Sequence, residues 1–169
     1  LDQLIVRHIE DENLVAMSTF EFPKLQSLRV HNYYGVVIDE NLLKSFFNKI
    51  KYIKTLEFPF TFKNPNVINL FENLLSLEFY YLIKEDDDYE RLIKWIDMPK
   101  HRTLERIKIE IDDYVLNVDI FDVLINLRRA KPNVEFDIEI ETHTDDRLVF
   151  QEYKNRYKQA KHKINVKLI

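Results

Sequence analysis

The stretch Leu25-Gln26-Ser27-Leu28-Arg29-Val30, LQSLRV, carries apolar residues at its first, fourth and sixth places. Neither a strand nor a helix rhythm alone accounts for that spacing. The template apolar-x-x-apolar-x-apolar recurs along the chain. It stands at Leu1, Leu4 and Val6, at Ile53, Leu56 and Phe58, at Leu74, Leu77 and Phe79, and at Leu104, Ile107 and Ile109. Successive copies start 24, 28, 21 and 30 residues apart, so the chain is built on an internal repeat. Two further segments continue the spacing without the first template position. VEFDIEI alternates Phe136, Ile138 and Ile140, and INVKLI alternates Ile164, Val166 and Leu168. In the former, a one-residue slip of register turns Asp137 and Glu139 into the core, so the alternation outranks the template.

Segments of helical period lie between the copies. Leu42, Leu43, Phe46, Phe47 and Ile50 recur three and four apart, as do Val67, Leu70, Phe71 and Leu74. The same spacing is found at Leu92, Trp95 and Ile96, at Ile120, Phe121, Leu124 and Leu127, and at Val149, Phe150, Tyr153, Tyr157 and Ala160. The unit is therefore strand, turn, helix, turn, long enough for a right-handed parallel crossover. Central strands of a sheet covered on both faces read as near-continuous apolar runs. Here the alternate positions are polar: Ser27 and Arg29, Thr55 and Glu57, Ser76 and Glu78, Arg106 and Lys108. One face of the sheet is wet. The expected fold is α/β, a solenoid with a parallel sheet on the concave face and helices on the convex face, in about seven irregular repeats.

Composition narrows the function classes. Hydrophobic residues make up 46% of the 169, enough for a real core in one domain, 1–169. The net charge of −4 carries no basic surplus, so nucleic acid is not an expected partner. Cysteine is absent, which removes disulfides, thiolate zinc sites and a cysteine nucleophile, and fits a reducing compartment. The single glycine, Gly35, rules out a Gly-rich phosphate loop. No apolar run reaches the roughly 20 residues needed to cross a bilayer. The chain begins with Leu1 instead of methionine and reads as a piece of a longer protein, with a covering segment expected before the first strand.

FPKLQSLRV (Phe22 to Val30) and AKPNVEFDI (Ala130 to Ile138) place a proline between the end of one connection and the next strand, where it stops a helix. In this the chain resembles leucine-rich-repeat proteins, in particular the long, irregular repeats of F-box-type substrate receptors. The resemblance covers nearly the whole chain at the level of pattern. It implies the repeat region of a ubiquitin-ligase receptor, non-enzymatic, without cofactors or metal, in the cytoplasm or nucleus. Its partners are other proteins, with an adaptor bound through a module before Leu1. The chain departs from the family where Asn or Cys normally follows the strand: those places hold Tyr33, Leu82 and Asp112, with Asn32 one residue early.

On such a sheet the residues between the template apolars form the concave face. Its partner-binding candidates are Arg29, His31, Glu57, Glu78, Tyr80, Arg106, Lys108, Glu110, Asp137 and Glu139. Arg106 and Lys108 can pair across strands about 4.8 Å apart with Asp137 and Glu139. One reading takes these as solvated ion pairs of little value; the other takes them as a charged recognition surface, with His31 and Tyr80 its aromatic members.

Other polar clusters point to scaffold. KEDDDYER (Lys84 to Arg91) lacks the acid spacing and central glycine of a calcium loop, and Asp88 there suits a helix cap, with Arg91 beyond it. His143 near Asp145 and Asp146 has no convergent partners, since His8, His31, His101 and His162 belong to unrelated repeats. YKNRYKQAKHK (Tyr153 to Lys163) reads as the solvated face of a helix whose tyrosines pack inward. An alternative function is an architectural subunit binding through its ends or its helical face. An α/β enzyme is the third, disfavoured because no nucleophile–base set stands out.

Overall fold

The structure, a computed structural model, describes residues 1–7, 9–31, 38–59, 65–85, 88, 90–92, 94, 102–114, 131–142, 148, 151–152, 155 and 164–168. They belong to two compact units, Leu1–Phe79 with Met98–Leu104, and Tyr80–Asp97 with Glu105–Ile169. The class is α/β, with the strands parallel. The helix candidate at 118–130, Trp95 and Ile96, and most of the helical segment at 147–160, lie outside the described residues, as do His8, His101, His143, His162, Asp145 and Asp146.

The first unit contains β1 (Gln3–Val6), α1 (Asp11–Ser18), β2 (Ser27–Val30), α2 (Glu40–Lys49), β3 (Thr55–Pro59), a 3-10 helix (Pro65–Leu70) and the start of β4 (Ser76–Ile83). Its strands follow one another in sequence order. β1 pairs parallel with β2, Leu4 beside Leu28 and Val6 beside Val30, and β2 pairs parallel with β3, Leu28 beside Leu56. The repeat is visible atom by atom. The carbonyl of Asp2 accepts from the N–H groups of Gln26 (2.8 Å) and Ser27 (3.1 Å). That of Gln26 accepts from Lys54 (2.8 Å) and Thr55 (3.1 Å), and that of Lys54 from Leu75 (2.8 Å) and Ser76 (3.0 Å). Each strand is thus started by the residue just before its predecessor, whatever the length of the connection between them.

Burial follows the template. Leu25, Leu28 and Val30, Ile53, Leu56 and Phe58, and Leu74, Leu77 and Phe79 are all buried, while Ser27, Arg29, Thr55, Glu57, Ser76 and Glu78 remain half-exposed. The helical layer completes this core. Asp39 caps α2, its Oδ1 accepting from the N–H groups of Asn41 (2.7 Å) and Leu42 (3.1 Å), and Leu43, Phe46 and Phe47 point inward. Glu40 in the first turn and Lys49 in the last suit the helix dipole. Phe47 sits 4.8 Å from Phe71 and 5.8 Å from Phe58, ring centre to ring centre.

Two connections differ from expectation. The period read over Val67, Leu70, Phe71 and Leu74 folds as a 3-10 helix, and Leu70 is only half-buried. Val67, Phe71 and Leu74 of that period are buried, and so is Ile68, with Phe71 and Leu74 beyond the end of the 3-10 helix. This is the shortest repeat of the series, and a tighter helix is what its length accommodates. Residues 11–18, where no helix was expected, form α1, which packs on α2. Leu14 is its one buried residue, so it leaves almost no periodic trace in the sequence.

The second unit holds the rest of β4, then β5 (Arg106–Asp113), β6 (Glu135–Thr142) and β7 (Ile164–Leu168), again in sequence order. β5 and β6 run parallel with Ile107 beside Phe136, Ile109 beside Ile138 and Ile111 beside Ile140; β6 pairs parallel with β7. All six of these β5 and β6 side chains are buried. The alternation in VEFDIEI is the working register, since Asp137 and Glu139 are half-exposed. The carbonyl of Glu105 accepts from Glu135 N–H at 2.7 Å, the same starting bond as in the first unit.

Candidate protein-binding surface

In a strand of period two, burying the template apolars forces the residues between them to the opposite face. In the first unit this places Arg29 beside Glu57 in register, and the Arg29 Nε contacts a Glu57 carboxylate oxygen. Glu78 is half-exposed on β4. His31 follows β2 directly. Its N–H is held by the Val6 carbonyl at 2.8 Å, and the residue is exposed.

The second unit carries the larger array. Arg106 Nη2 donates to Asp137 Oδ2 at 2.7 Å, a diagonal contact, because its register partner is Glu135. Lys108 Nζ donates to Glu110 Oε1 at 2.7 Å, two residues along the same strand and so on the same face. Tyr80 Oη donates to Asp112 Oδ2 at 2.9 Å. The expected pairing of Arg106 with Asp137 is present, and Lys108 reaches an acid of its own strand.

Register sets a gradient along β5 and β6. Near the strand starts, Arg106 stands opposite Glu135 and Lys108 opposite Asp137. Further on, Glu110 stands opposite Glu139 and Asp112 opposite Glu141. Unlike charges across a ladder stabilise it and like charges directly opposite destabilise it. The ammonium of Lys108 and the phenol of Tyr80 offset part of that cost at Glu110 and Asp112. The surface offers hydrogen-bond acceptors at one end and guanidinium and ammonium donors at the other. Asp112 was not among the expected site residues. The signal was present in the alternation Arg106, Lys108, Glu110, which continues to it.

In the KEDDDYER segment, Asp88 Oδ2 accepts from the N–H groups of Lys84 (3.0 Å) and Glu85 (3.1 Å), and Arg91 Nη1 lies 3.3 Å from Asp88 Oδ1. Asp88 therefore closes the turn behind β4, and Tyr81 Oη donates to its carbonyl at 3.0 Å. Burial, with the Asp88 carboxylate second, pushes the Tyr81 phenol well above its ordinary value; Arg91 opposes the shift. Among the described residues, no three His, Asp or Glu side chains are placed to hold a metal ion. No helix among them is long and apolar enough to cross a membrane.

Comparison with protein-family models, with curated proteins and with solved structures found no match.

Proposed function

We propose that the chain is a non-enzymatic protein-binding module, a leucine-rich-repeat solenoid of about seven irregular repeats. Its role in this reading is substrate recognition in an F-box-type ubiquitin-ligase receptor. The observation that carries the reading is the polar half of the parallel strands. In each unit it presents ordered charged groups, Arg29 and Glu57 in one and Arg106, Lys108, Glu110 and Asp137 in the other. The repeated starting bond at Asp2, Gln26 and Lys54 supports a stack of like units. A partner segment of complementary charge is recognised on such a face, with specificity and encounter rate set by the charge pattern and affinity by a few buried anchors. Tyr80 and His31 are the aromatic anchors.

The test is affinity purification of the full-length protein against the same protein carrying Arg106→Glu and Lys108→Glu. Loss of the bound proteins with the fold retained supports recognition on this face. An unchanged set of bound proteins overturns it. Co-purification of a ubiquitin-ligase adaptor, lost when sequence before Leu1 is removed, supports the receptor role.

A further inference from the structure

The outward face of β5 and β6 carries an uneven charge. Its cations are Arg106 and Lys108; its acids are Glu110, Asp112, Glu135, Asp137, Glu139 and Glu141. Two cations against six acids leave −4, the formal net charge of the whole chain, so the remaining residues balance. The excess belongs to this face, and it is graded along the strands. Where the strands start, each cation stands opposite an acid, Arg106 beside Glu135 and Lys108 beside Asp137. Beyond them Glu110 stands beside Glu139 and Asp112 beside Glu141. β7 continues these rows with Asn165 beside Glu139 and Lys167 beside Glu141, so the Glu110 row gains no cation there.

Two further groups shape the face. Among the described residues Arg106 bonds through Nη2 alone, to Asp137, and its side chain is 49% exposed. The other N–H groups of its guanidinium remain as donors. At the opposite end, Tyr80 Oη donates to Asp112 Oδ2, which fixes the ring beside the acids. An aromatic face placed there attracts a cation.

We infer that this face docks an extended basic segment of a partner protein, lying along β5 and β6. One acidic residue of the segment meets Arg106, and lysine or arginine residues meet the Glu110–Glu139 and Asp112–Glu141 rows. The inference rests on the reading of this face as a recognition surface and names the chemistry of its partner. Strand geometry sets the spacing. Successive outward rows are two residues apart, about 6.6 Å, which is also the repeat of alternate side chains in an extended segment. Cations at alternate positions of the segment therefore meet successive acidic rows. Arg106 and Glu110 are four residues apart, about 13 Å, so the acid lies four residues from the nearer cation. Each acidic row sets two carboxylates directly opposite each other, and a cation between them relieves a repulsion that the sheet otherwise bears.

The experiment is fluorescence anisotropy of labelled peptides with the full-length protein. The peptides are rich in serine and threonine and share one composition. In the patterned peptide an aspartate is followed by lysines at the fourth and sixth places after it; its reverse serves the opposite direction of docking. Two controls keep the composition, one with the lysines adjacent and one with the aspartate between them. One patterned peptide is expected to bind about fivefold or more tighter than both controls, and less tightly as salt is raised. Glu110→Gln with Glu139→Gln is expected to cancel that preference without lowering the melting temperature, since it removes like charges. Glu139→Gln alone, at a half-exposed site, is expected to reduce it. Patterned peptides that bind no tighter than the controls overturn the inference, as does a preference that survives these substitutions. If Arg106→Glu with Lys108→Glu abolishes protein capture while the peptides show no preference, the recognition face stands and its basic partner falls.

Discussion

Arg106 reaches past Glu135, which stands opposite it across the β5–β6 ladder, and bonds Asp137 two residues further along. Strand twist and the length of the arginine favour the diagonal, which spans about 7–8 Å between strands. The Arg106 side chain is 49% exposed and that of Asp137 22%, so this pair belongs to the surface more than to the core. Arg106→Ala is expected to lower stability by less than about 1 kcal/mol, read as a small shift of the urea midpoint at unchanged slope. Binding of a partner is expected to fall far more than stability does. A stability loss of several kcal/mol with binding intact would assign Arg106 to the scaffold.

Phe47 is fully buried between Phe71, Phe58 and Phe46, the last with ring centres 6.1 Å apart. It joins the α2 layer to β3 and to the residue just after the 3-10 helix. Phe47→Ala is expected to cost about 3–5 kcal/mol, the transfer loss plus the cavity left behind. Denaturant unfolding of the variant checks it, and a cost under about 1 kcal/mol would mean the ring is not buried as described.

Asp39 holds two functions in one residue. Its carboxylate caps α2, and its own N–H donates to Asp11 Oδ1 at 2.9 Å, tying α2 to α1. Asp39→Ala is expected to cost about 1 kcal/mol, and Asp39→Asn, which keeps an acceptor at the cap, only a few tenths. Far-ultraviolet circular dichroism during unfolding distinguishes the two variants.

Tyr81 supplies a pH dependence. Its folded phenol is raised above the ordinary 10.0, first by burial and then by the Asp88 carboxylate. In the unfolded chain the phenol ionises near its ordinary value, while in the folded chain it stays neutral. The unfolded state then binds fewer protons, so stability falls as pH rises above about 10. The contribution is fully present below that pH. Unfolding measured from pH 8 to 11 is expected to show this decline, and Tyr81→Phe to make it shallower.

The strand positions and the inward or outward sense of each residue were legible in the sequence. Leu28, Leu56, Leu77, Ile107 and Phe136 sit where the template and the alternation put them. The reason is that side chains alternate with a period of two. Once a core exists, burying one half of a strand dictates the face of the other half. That logic also identified Arg106 and Asp137 as partners and rejected the slipped register at Asp137. The tertiary structure alone decided the connections and the fine pairing. α1 buries a single side chain, Leu14, too little to mark a helical period. The Pro65–Leu70 segment had to cross in the shortest repeat, and it tightened to a 3-10 helix that buries Ile68 and leaves Leu70 half-exposed. The lysine at 108 bonds Glu110 on its own strand, and Tyr80 meets Asp112, a residue 32 positions away. Several acids lie within reach of each of these long side chains. Twist and register, which exist only after the strands have assembled, select among them.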